Sequence, residues 1–139
     1  MNPIEVKIET KASKEKVWSA ITDLHQMKEW YFDNIPNFEP IVNFETSFNV
    51  SSKDRDFYHQ WKVREVVVNE KISYFWTFKN IKGKSVSIFE ISEKGDKREI
   101  KINSIVLENF PEDIPEFKRE SGVEGWKYFA NKLKLYLEE

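Results

Sequence analysis

The sequence predicts an α+β domain: an antiparallel sheet of about six or seven strands, two short helices after the first strand, and a long C-terminal helix lying along the sheet. Three observations carry this. Apolar residues alternate with polar ones in short runs between residues 41 and 107, the period of strands with one buried face. The links between those runs are hairpin-length, too short for the crossovers that parallel strands need. Residues 115–137 then switch to helical spacing with a single wide apolar stripe.

The elements follow in order. Ile4, Val6 and Ile8 alternate with Glu5, Lys7 and Glu9, a strand with one wet face. Ser13 stands where a helix N-cap belongs, its hydroxyl able to accept from an orphaned backbone N–H, and Val17, Trp18, Ile21 and Leu24 follow at helical spacing. Residues 23–32 read as a second short helix, and Pro36 and Pro40 mark an irregular connection. Phe44, Thr46, Phe48 and Val50 share one parity of the next strand. A long strand over residues 57–68 puts Phe57, His59, Trp61 and Val63 on one face, and Ile72, Tyr74, Trp76 and Phe78 form the cleanest alternation in the chain. Residues 81–84 are expected to turn into a strand over 85–92, and residues 94–97 into one over 98–107. Pro111 and Pro115 fence off the last loop. Pro115 suits the first turn of a helix, whose buried face is Gly122, Trp126, Phe129, Leu133, Tyr136 and Leu137.

The chain of 139 residues shows no repeat, linker or low-complexity stretch, so residues 1–139 are expected to form one domain. Its 22 basic and 24 acidic residues are interspersed and leave a net charge of −2, which argues for neither nucleic acid nor a membrane surface as partner. There is no cysteine, which removes disulfides and thiolate metal sites together. No window approaches the roughly 18 apolar residues of a membrane span, so a soluble, cytoplasmic protein is expected. Aromatic residues are unusually frequent, at 15%, with only four glycines. So many rings fit either a large core or a lined hollow.

Catalysis should leave a constellation of residues, and the sequence offers little. There is no Gly-rich phosphate loop, nucleophile elbow or dinucleotide fingerprint. The two histidines, His25 and His59, have no metal-ligand spacing. His59 could join carboxylates such as Glu65 across strands, but a histidine hydrogen-bonded within or beside a pocket is the simpler account. No cofactor, metal or catalytic residue is expected. Counted by parity from His59 and Trp61, Glu65 points inward, where an apolar setting would raise its pKa and let it orient a polar ligand group. A bulge after Val63 would turn it outward instead. Trp61 and Trp76 lie on neighbouring strands and Trp126 on the helix above them; their convergence fits an aromatic-lined cavity or a filled core, and composition does not separate the two.

The segment Ala12-Ser13-Lys14-Glu15-Lys16-Val17-Trp18-Ser19-Ala20-Ile21-Thr22-Asp23, the helix end Trp30-Tyr31-Phe32, the hairpins and the Gly125-Trp126 helix occur in an order that resembles the START-like superfamily. The resembled branch is the one related to the activator of the heat-shock-protein-90 ATPase. The resemblance implies a helix-grip fold, a curved sheet wrapped around the C-terminal helix, with a cavity between them as the working site and the helix pair at its mouth. It implies no shared catalytic residue, since members bind lipids, hormones or polyketides or assist a chaperone. Glu45-Thr46-Ser47-Phe48 stands where the family often has a Gly-Gly pair, which weakens analogy to any one ligand-binding branch.

Resemblance and pattern together give an expected ligand-lining set: Phe32 at the mouth, Phe48, Phe57, His59, Trp61 and Glu65 on one side, Tyr74, Trp76 and Phe89 across from them, and Trp126, Phe129 and Leu133 on the helix. Trp30 is expected only to staple the helices to the sheet. The expected function is a binding module for a small, mostly apolar or aromatic ligand. The alternatives are a protein-interaction or chaperone-accessory module and, third, an enzyme using Glu65 and His59 on a polyketide-like substrate.

Overall fold

Short polar residues start both early helices. The Ser13 hydroxyl accepts from the Lys16 N–H at 3.1 Å and opens α1 (Lys14–Thr22). The Asp23 carboxylate accepts from the Gln26 N–H at 3.2 Å and opens α2 (Leu24–Trp30). Each satisfies a donor that the helix itself leaves unpaired. These helices follow β1 (Ile4–Thr10) in a computed structural model that describes residues 2–139.

Five further strands form a continuous meander: β2 (Glu45–Ser52), β3 (Arg55–Val67), β4 (Lys71–Phe78), β5 (Ile81–Lys94) and β6 (Lys97–Glu108). All pairings are antiparallel. β1 returns to pair with β6, giving the order β1-β6-β5-β4-β3-β2. Asn69 and Asn80 take left-handed backbone conformations in the tight turns before β4 and β5, as residues in such turns must. A short 3₁₀ turn, Pro115–Phe117, then leads to α3 (Arg119–Leu137).

Three expectations about boundaries are corrected. The second helix stops at Trp30 rather than residue 32, because Tyr31 leaves the helical conformation and turns its ring into the core. The C-terminal helix is not continuous from residue 115: Lys118 is extended and separates the 3₁₀ turn from α3. The turn before β5 is at Lys79-Asn80, and residues 81–84 already belong to the strand. Gly83 in that strand has φ +124°, and a Cβ there would overlap the Phe110 ring. Glycine is needed at this position for close approach and backbone conformation.

The core lies between the sheet and the helices. From α3 it takes Trp126, Ala130, Leu133 and Leu137; from α1 and α2 it takes Val17, Ala20, Ile21, Met27 and Trp30. The Trp30 indole donates to the Ala20 carbonyl at 2.7 Å, tying α2 to α1. Gly122 brings α3 against β1, where a Cβ would come within 2.9 Å of Ile4.

Candidate functional site

The space beneath the middle of α3 is filled by rings. Tyr31 occupies its centre, stacked on Trp30 at 4.5 Å and on Trp61 at 5.4 Å, with its edge toward Phe129 at 4.9 Å. Its hydroxyl lies 2.8 Å from that of Tyr74. Burial pushes both phenols above their ordinary pKa, so both stay neutral and one donates to the other. Trp61, Tyr74, Phe89 and Leu133 are buried against these neighbours. Trp61, Tyr74, Phe89 and Leu133, expected to line a central cavity, pack together there, and Tyr31, absent from the expected set, packs among them.

His59 is also committed within the protein. Its Nδ1 accepts from the Trp76 indole N–H at 3.1 Å, and its ring stacks on Phe48 at 5.4 Å. Burial lowers its pKa to about 4, so it is neutral near pH 7 and serves as an acceptor. Among the described residues, no three His, Asp or Glu side chains gather as metal ligands would.

For Glu65 the structure takes the outward alternative, which removes it from the ligand-lining set. A bulge lies between Val63, which pairs with Tyr74, and Glu65, which pairs with Ser73. The extra residue, Arg64, reverses the parity. Glu65 therefore points away from the core, 41% exposed in its side chain, and pairs with Lys71 at 3.2 Å. It cannot serve as an acid inside the fold. Val66, opposite Ile72, takes the inward position.

Open space lies at one end of the core, beneath the first turns of α3. This cleft, about 420 Å³, is walled by Ile4, Trp76, Phe78, Val106, Phe110, Phe117 and Trp126. Ser85 and Ser104 contribute to its floor, Gly122 borders it where α3 approaches Ile4, and Asn2, Glu116, Lys118 and Arg119 lie along its rim. The outer wall is an aromatic cluster. Phe110 stacks on Phe117 at 4.9 Å, Phe78 meets Phe117 at 5.0 Å, and Phe57 backs Phe117 at 5.5 Å.

Hydrogen bonds fix the rim. Arg119 donates to the Asn2 carbonyl at 2.6 Å and to that of Pro3 at 3.2 Å. The Ser52 hydroxyl donates to the Glu116 carboxylate at 3.0 Å. The Glu116 backbone N–H and that hydroxyl hold the carboxyl below its usual pKa.

Of the expected ligand-lining residues, Trp76 and Trp126 border this cleft. Phe32 and Phe129 border a different, more polar groove with Lys28, Asn34, Asn49 and Lys132. Phe48, Phe57, His59, Trp61, Tyr74, Phe89 and Leu133 lie in the packed interior or behind the cleft wall. Phe78 shares the parity of Trp76 and was within reach of sequence reasoning. Phe110 sits in an irregular connection, where periodicity gives no facing, and Phe117 in the 3₁₀ turn that replaces the expected start of the C-terminal helix.

The matching family model, described as Activator of Hsp90 ATPase homolog 1-like protein, covers residues 11–138. The chain belongs to this family. The Activator of Hsp90 ATPase homolog 1-like fold is evident among solved structures as well. Protein CV1439 from Chromobacterium violaceum superposes with a TM-score of 0.82 at 17% identity, over 99% of this chain and 98% of that one. The Aha1 dimer structure from Colwellia psychrerythraea gives 0.77 at 20% identity, over 99% and 97%. DynU16, of the dynemicin biosynthetic locus, gives 0.77 at 17% identity, over 99% of this chain and 48% of that one. At these identities the likeness is one of fold: the six-stranded antiparallel sheet and long C-terminal helix of the helix-grip class. No curated protein matches the sequence.

Proposed function

We propose that this protein is a cytoplasmic binding module that holds a small, mostly apolar molecule in the cleft between the sheet and the first turns of α3. The observation that carries the reading is the cleft itself: about 420 Å³, with five aromatic rings in its walls and its polar side chains confined to floor and rim. That is the build of a small-molecule site, in which burial of apolar surface supplies affinity and a few polar groups fix orientation. The absence of cysteine fits a reducing compartment. Among the described residues of the cleft, no serine is paired with a base, and His59 is occupied by Trp76. Binding without turnover is therefore the better account.

A protein-interaction or chaperone-accessory role is the second reading. It draws on the family description and on Tyr128 and Leu135, which are 59% and 58% exposed and seven residues apart on the outer side of α3.

Native mass spectrometry of the protein purified from its own host, before and after denaturation, tests the first reading. A retained small molecule is expected, and Trp76 and Trp126 should report its return by fluorescence. A bare native mass, together with no fluorescence or thermal response to a panel of fatty acids, flavonoids and other aromatic molecules, would sink it in favour of the second.

A further inference from the structure

The inner face of the sheet changes chemistry along its length. Toward α1, β5 and β6 present Phe89 beside Ile102 and Ile91 beside Ile100, all buried. Toward the cleft, the same faces of the same strands present Ser87 beside Ser104, and Ser85 beside Val106. On the β4 side, Ser87 lies beside Tyr74 and Ser85 beside Trp76. Ser85 and Ser104 border the cleft. Ser87, beside Ser104 on the same face, is fully buried and its hydroxyl has no hydrogen-bond partner among the described residues.

A strip of serines on inward-facing strand positions, Ser85 and Ser87 buried and Ser104 partly so, is not what sheet propensity favours, since β-branched and aromatic side chains fit those positions better. A buried hydroxyl without a partner also costs free energy. Of the two indoles in the cleft wall, that of Trp76, which lies beside Ser85 on the sheet, already gives its N–H to His59. The hydroxyls are therefore what the floor offers a bound molecule.

We propose that this serine strip sets ligand selectivity: the cleft takes a molecule whose inner end carries a neutral carbonyl or hydroxyl oxygen, held by Ser85 and Ser104, with an apolar body against Phe78, Phe110, Phe117 and Trp126. A serine hydroxyl both donates and accepts, so either oxygen type fits. A carboxylate does not fit at that end. The cations near the cleft, Lys118 and Arg119, are at its rim, and an ionised group on the floor would lose its water without gaining a countercharge. The proposal rests on the binding-module reading, and its test separates the two.

The probes are 2-acetylnaphthalene and 2-isopropenylnaphthalene, which share a shape and differ by a carbonyl oxygen against a methylene, together with 2-naphthoate. Titrations of the full chain would be followed by NMR through the indole signals of Trp76 and Trp126. The ketone should bind about tenfold more tightly than the alkene, the worth of a hydrogen bond gained in a dry site. Naphthoate should bind no better than the alkene. In the double variant Ser85→Ala, Ser104→Ala the preference should fall to within about twofold while the alkene's affinity is kept. Each single variant should lower it partway, which carries the test if the double variant fails to fold. Ser104→Thr, which keeps a hydroxyl, should retain the preference. Equal binding of ketone and alkene to the unmodified protein, with both indole signals shifting, would overturn the serine proposal and leave the binding module standing. No shift of either indole with any probe would overturn both.

Discussion

The two ends of the core share one helix and the same strands, yet one is closed and the other open. At the closed end Tyr31, Trp61, Tyr74, Phe89 and Leu133 interlock. At the open end the small side chains of Ser85 and Ser104 share the cleft with Phe110 and Phe117, rings from the connection between β6 and α3. Large side chains that interdigitate fill the space between sheet and helix; small ones such as Ser85 and Ser104 leave it. Changes at the closed end should act on stability, and changes at the open end on binding.

The largest effect should come from Trp61→Ala. It removes a buried indole that meets Tyr31, Phe48, Tyr74 and Trp76 within 5.4 Å between ring centroids, and should cost about 3–5 kcal/mol in equilibrium denaturation. A cost below about 1 kcal/mol would mean the closed end is loosely packed.

Next is the pH response of His59. Its pKa is about 4 in the fold against an ordinary value of about 6.5. Between those values the unfolded chain binds a proton that the folded chain does not, so stability should rise with pH across the window and fall as pH drops from about 6.5 toward 4. The loss should approach about 3 kcal/mol and be absent above that window. Denaturation curves of His59→Gln, whose amide can still accept from Trp76, should lack this component. An unchanged slope in that variant would place the titration elsewhere.

Tyr31→Phe keeps the ring and removes one hydroxyl of the buried pair, leaving the Tyr74 oxygen without its partner. The expected cost is about 1–2 kcal/mol. Tyr74→Phe should cost a similar amount, and the double variant much less than the sum.

The smallest stability effect and the sharpest test of the contrast is Phe110→Ala. This ring is only partly buried in the cleft wall, so unfolding should change by no more than about 1 kcal/mol. Affinity for an apolar ligand should nonetheless fall about tenfold, as expected for losing one ring from a pocket. A large loss of stability with unaltered binding would reverse the assignment of the two ends.

Much of this was legible from residue order. Ser13 caps α1 because its short polar side chain reaches a free N–H of the first turn. The alternation of Ile72, Tyr74 and Trp76 placed their common face correctly. At Glu65 parity and the alternative of a bulge after Val63 gave opposite facings, and the sequence did not choose between them because the ion pair with Lys71 that accompanies the bulge spans two strands. The cleft was misplaced for a related reason. Tyr31 looked like the last turn of a helix, and only its contacts with Trp30, Trp61 and Tyr74 show that it leaves the helix to fill the centre.

The sequence by itself determined the α+β class with its antiparallel hairpin order and, outside the bulge in β3, which side chains of the regular strands turn inward. Those properties follow from periods of two and 3.6 residues and from local hydrogen bonding. Tertiary structure decided which inward side chains touch and which enclose space. That outcome depends on how rings from distant segments interdigitate, on one inserted residue in β3 and on the approach of Phe110 to Gly83, none of which is carried by a local pattern.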